Sequence, residues 1–149
     1  MKTTIYILLF MISLSCVSQK TDLDVTGNWY NYYPTGNSNV SYVETYYDSD
    51  IYYLYYEESG LKFGGKYSIE IDKMFLYLNE ESENDFIEVK MTEDVIELKI
   101  QGKTGFLKKI PDNPYSLEKF INKEITEKEY FQYGYSKRKL NWKKKGTVE

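Results

Sequence analysis

Few residues in this chain are able to do chemistry, and their types narrow what it can be. The 149 residues include no His and one Cys, Cys16, but 17 Tyr. Without His there is no Ser-His-Asp or Cys-His arrangement, no His-ligated zinc and no imidazole acid or base near neutral pH. Carboxylates remain. Asp48, Asp50, Glu57 and Glu58 read as an acidic group at one end of neighbouring hairpins. That group lacks the Asp-x-Asp-x-Asp-Gly spacing of a calcium loop, and acidic turns commonly serve solubility. Gly102-Lys103-Thr104 ends like a phosphate-binding loop, yet Glu97 stands where such a loop requires Gly. The reading is therefore of a non-enzymatic protein with no catalytic residue, no metal ligand and no cofactor.

The tyrosines are the unusual feature. They concentrate at 30–33, 42–47 and 52–56. In 51–56 both alternating faces are apolar or aromatic, so this strand needs cover outside the sheet as well as inside. Tyr gives contact area with a polar tip, which makes Tyr42, Tyr46, Tyr53, Tyr55 and Tyr67 candidate contacts for a ligand or partner. The competing reading is that Tyr suits strands and that the C-terminal segment packs over this wall.

These side chains must be positioned by strands. Residues 61–72, LKFGGKYSIEID, place Leu61, Phe63, Tyr67, Ile69 and Ile71 at alternate positions, with Lys62, Lys66, Ser68, Glu70 and Asp72 between them. A period of two gives one apolar and one wet face, and the Gly64-Gly65 pair inside it points to a bulge or bend. Further strands are expected at 27–33, 40–47, 51–56, 74–78, 86–91, 95–101 and 104–110, separated by turn chemistry such as Asp48-Ser49-Asp50 and Gly102-Lys103. About eight short strands without crossover helices predict a mainly β fold, an antiparallel up-and-down meander closing as a small barrel. Closure also removes exposed edges.

After Pro111 the pattern changes. Ser116 precedes Leu117, Phe120 and Ile121 at helical spacing, as an N-cap would. Thr126-Glu127-Lys128-Glu129 is a capping box for a second helix toward Trp142, ending near Gly146. Phe131, Tyr133 and Tyr135 alternate, which offers a strand as the competing choice. The expected organisation is a leader at 1–15, a tether at 16–26, a barrel at 27–110 and a C-terminal helical segment at 111–149 packed on the barrel as two helices.

Charge follows this division. Residues 16–110 carry 9 basic and 17 acidic side chains, and residues 111–149 carry 9 and 6. An acidic body lacks the broad basic face that nucleic acid requires. At the N-terminus, Lys2, the apolar run 5–12 and the small residues Ser13, Ser15 and Cys16 form a secretory signal peptide. Leu14-Ser15-Cys16 resembles the end of a bacterial lipoprotein signal, which implies an exported, envelope-located chain lipidated at Cys16 and held to a membrane. Cleavage after Ser15 or after Ser18 without lipid is the alternative.

Gly27-Asn28-Trp29 on the first strand, followed by the meander, resembles the lipocalin pattern. The resemblance implies that Trp29 closes one end of the barrel, with a basic residue from the far end of the chain packed on it. It also implies a binding protein holding a small apolar or amphipathic ligand. The alternative is a protein-binding inhibitor or immunity-type lipoprotein.

Overall fold

A computed structural model describes residues 23–33, 40–77 and 86–148. The expected leader, Cys16 and the first part of the tether lie outside the described residues. Eight strands run β1 (Gly27–Tyr32), β2 (Val43–Tyr47), β3 (Ile51–Tyr56), β4 (Gly60–Glu70), β5 (Lys73–Tyr77), β6 (Phe86–Met91), β7 (Val95–Ile100) and β8 (Lys103–Lys109). Each pairs antiparallel with the next, and β8 returns to β1 to close the barrel. The meander and its closure are those the alternation predicts.

The register fixes which side chains point inward. Trp29 pairs with Thr45 and Lys109, Leu54 with Lys62, Met74 with Ile69, and Leu98 with Gly105, so each pair shares the inner face. Around Trp29, Tyr47, Tyr52, Tyr67, Met74, Ile87, Val89 and Ile96 form one buried cluster inside the barrel. Val25 is buried in this cluster and Leu23 packs against it, although both lie in the stretch read as tether.

The Gly pair acts as expected. The β3–β4 register shifts between Tyr52 and Tyr53, opposite Gly64. A Cβ on Gly64 would lie 2.1 Å from the Tyr52 ring, and Gly65 has φ +137. Glycine at both positions lets the inward ring of Tyr52 lie flat on the kinked strand.

The tail is helical. α1 (Leu117–Ile121) starts at Ser116, whose side chain accepts from the Lys119 amide. Its first turn is also pinned to the barrel, because the Glu118 amide donates to Asn28 Oδ1 over 2.9 Å. The Thr126 capping box opens α2 (Glu127–Glu129), which continues through a π-helical turn (Tyr130–Tyr135) into α3 (Ser136–Lys145). Gly146 then ends the helix at φ 75. The alternating aromatics at 131–135 are therefore on a helix. Gly134 serves close packing, since a Cβ there would meet the Tyr115 carbonyl at 2.4 Å.

A second core lies outside the barrel. Tyr30, Tyr42, Tyr46 and Tyr55 from the outer face of the first three strands cluster with Leu117, Tyr130, Tyr135 and Trp142 of the tail. Among the described residues no helix is long and apolar enough to cross a membrane.

Candidate functional site

The two ends of the barrel differ. At the Trp29 end the interior is filled. Trp29 is fully buried, its indole N–H donates to the Val25 carbonyl over 2.8 Å, and Lys109 Nζ stands 5.5 Å over its ring. A cation over an indole face is attractive, and here it comes from the end of β8. Tyr67 also points inward here and donates its hydroxyl to the Asp48 carbonyl. Burial first, and then the nearby Asp24 and Asp48 carboxylates, push its phenol up to about 12.

Toward the opposite end the inner face is less covered among the described residues. Leu54, Leu76 and Leu98, from β3, β5 and β7, belong to the inner cluster but are only half-buried. Ile100, farther along the inner face of β7, is 42% exposed. Gly105 pairs with Leu98, and a Cβ there would meet no heavy atom within 4 Å among the described residues. Phe63 and Phe86 are exposed on the outer wall toward this rim.

The outer wall holds a different arrangement. Glu44, fully buried on β2, receives four donors. Arg138 reaches it through Nε and Nη2, both at 2.8 Å, Tyr42 OH lies 2.7 Å away and Tyr130 OH 2.8 Å away. Arg138 spends its remaining donors on Asn113 Oδ1 and the Tyr115 carbonyl, each at 3.2 Å. Burial works against the guanidinium charge, but the Glu44 carboxylate outweighs it and holds Arg138 above its ordinary value. Burial, reinforced by Glu44, raises the Tyr42 and Tyr130 phenols. Every lone-pair direction of the carboxylate is occupied, so the group has no vacancy for acid–base work. It is a tie between barrel and tail.

The π-helical turn explains how the tail supplies this tie. One wider turn lets Tyr130 and Tyr135, five residues apart, both face the barrel. Their rings lie 4.8 and 4.9 Å from that of Tyr55. Tyr135 OH donates to the Tyr42 carbonyl over 2.9 Å.

The five candidate tyrosines do not converge on one site. Tyr42, Tyr46 and Tyr55 lie on the outer wall and are buried in the cluster shared with the tail, and Tyr53 is half-buried against it. Tyr67 lies inside. The acidic group is also divided. Asp48 and Asp50 sit in the β2–β3 turn and Glu57 and Glu58 in the β3–β4 turn, at opposite ends of β3, so they cannot act together. Among the described residues no group of three His, Cys, Asp or Glu side chains could hold a metal ion.

Glu44 and Arg138 escape a reading by motif. A signal was present: Arg138 is the only arginine among 19 basic residues. Arginine, unlike lysine, engages a carboxylate through two parallel bonds. A cleft of about 480 Å³ between the β3–β4 turn and α3, lined by Glu57, Glu58, Lys139 and Lys143, lies outside the barrel wall.

No family model matches the chain, and no curated protein and no solved structure matches it. The fold therefore defines the class: an eight-stranded closed antiparallel barrel, consistent with a lipocalin-like fold, carrying a C-terminal helical cover.

Proposed function

We propose that the chain is an exported, lipid-anchored, non-enzymatic binding protein of lipocalin-like type, holding a small apolar or amphipathic ligand at the open end of its barrel. One observation supports this reading: among the described residues nothing lies within 4 Å of a Cβ on Gly105, beside the half-buried Leu98. Apolar side chains left incompletely covered inside a closed barrel offer a concave site for an apolar guest. The leader and Cys16 supply the export and anchoring parts of the reading.

Gly105→Leu tests it. The added side chain starts where no described heavy atom lies within 4 Å, so the fold should keep its thermal midpoint while the guest's volume is taken. Titration of the full chain with the neutral probe N-phenyl-1-naphthylamine is expected to show saturable binding that falls roughly tenfold or more in the variant, about 1.4 kcal/mol. Equal binding by parent and variant would place the ligand elsewhere. The protein-binding inhibitor or immunity-type reading would then be favoured by the exposed Phe63, whose ring lies 5.6 Å from Tyr53.

A further inference from the structure

We propose that the outward ridge of the last tail helix is a contact surface for an anionic lipid bilayer. α3 buries Arg138 and Trp142 against the barrel wall, with Tyr135 buried just before it. At 3.6 residues per turn, the α3 positions opposite these are Lys137, Leu140 and Lys144. All three are exposed, and the exposed Lys143 flanks them. Lys137 Nζ stands 5.7 Å over the Tyr133 ring, which carries the ridge into the π-helical turn. Two large apolar side chains thus stand among lysines, Tyr133 at 49% and Leu140 at 52% exposure.

The charge of this ridge follows from sequence. Residues 132–149 hold six basic side chains and one acidic one, Glu149. Arg138 is spent on Glu44 and Lys139 on Glu57. Even with Glu149 set against a third, half of the six are left to act outward. The β1–β2 connection at 34–39 contains no charged residue. The acidic stretch 80–85 belongs to the β5–β6 connection, across the barrel from the β1–β3 wall that the tail covers.

These residue types suit a lipid surface. Lysine is a point charge on a flexible stem, which fits a diffuse layer of headgroups, whereas the one arginine of the chain, with its fixed fork, is used internally. Leu and Tyr between lysines settle at an apolar–water boundary while the ammonium groups stay in water. A helix lying outside a barrel wall is convex, so a plane can meet it along its length. The acidic barrel stands behind it by about the 10–12 Å thickness of a helix, more than the Debye length of about 8 Å at physiological salt, so its repulsion is screened.

The surface is separate from the barrel interior and needs no acyl chain, so it stands or falls independently of ligand binding and of anchoring. The test uses the processed chain, residues 16–149, carrying Cys16→Ser so that neither leader nor lipid contributes. It is sedimented with vesicles of phosphatidylcholine alone or with about one-quarter phosphatidylglycerol. Partition onto the anionic vesicles is expected to be roughly tenfold or more stronger, and to fall as salt rises. Lys137→Gln with Lys144→Gln should remove most of that preference, and Leu140→Ser should weaken binding roughly threefold at unchanged charge. All three positions are exposed, so each variant should keep the parent's near-UV dichroism. Lys66→Gln with Lys99→Gln, exposed on the outer face of β4 and β7, removes the same net charge and should leave partition unchanged. Equal partition onto both vesicles, an unaffected Lys137/Lys144 variant, or an equal loss in the Lys66/Lys99 variant would overturn the proposal.

Discussion

The wall made by β1–β3 and the wall made by β4–β8 belong to one barrel but are built differently. Between β4 and β8 the outer face holds Lys66, Glu70, Lys73, Glu88, Lys90, Glu97 and Lys99, and it meets water. Its ion pairs are long and exposed, such as Lys99 to Glu88 at 4.0 Å. On β1–β3 the outer face holds Tyr30, Glu44, Tyr46 and Tyr55, all buried. The lone carboxylate there has four short donors. A sheet can satisfy its outer face with water or with protein. The second choice makes the tail part of the fold, because neither the Tyr wall nor a short helix is stable alone in water.

Removing the tail breaks the comparison most completely. Cutting the chain after Ile110 exposes the Tyr wall and strips Glu44 of its cation and of the Tyr130 hydroxyl, so the barrel is expected to aggregate or lose fixed packing. Near-UV circular dichroism and sedimentation check this. A monomeric truncated barrel with the parent's thermal midpoint would show that the two walls are equivalent after all.

Alkali attacks the same wall without mutation. Burial holds the Tyr42, Tyr130 and Tyr135 phenols above the ordinary 10.0 and pushes Tyr55 up to about 12. The folded state thus grips these protons more tightly than the unfolded state. Their stabilising contribution is complete below pH 10 and is lost as pH rises past it. Tyrosinate absorbance is expected to rise in two stages, the second coinciding with loss of near-UV dichroism. A single stage near pH 10 with the fold intact would contradict the burial of these rings.

The smallest effects sharpen the comparison through ion pairs. Arg138→Met strands a buried carboxylate and is expected to cost about 3–5 kcal/mol in a denaturant melt. Pairing it with Glu44→Leu should recover much of that loss, because no charge is then left without a partner. Lys99→Met on the wet wall should change stability by less than about 1 kcal/mol. Equal costs for Arg138→Met and Lys99→Met would mean that Glu44 reaches water.

Much of the barrel was legible as local pattern. Alternation from Leu61 to Asp72, the Gly64-Gly65 bulge and the turns around Asp48 and Gly102 each act within a few residues, so the sequence by itself determined strand number, antiparallel order and the helix starts at Ser116 and Thr126. The two apolar faces of 51–56 also required an outer cover, and the tail had the apolar residues to provide it. Tertiary structure decided what depends on distant partners. Periodicity gives two faces but does not say which one turns inward, so Tyr55 and Tyr67 look alike in sequence and lie on opposite sides of the wall. The tie between Glu44 and Arg138 spans 94 residues and depends on a π-helical turn that Gly134 permits by lying against the Tyr115 carbonyl. Neither a spacing rule nor a propensity contains that geometry, because it arises only once the barrel has closed and the helix has somewhere to dock.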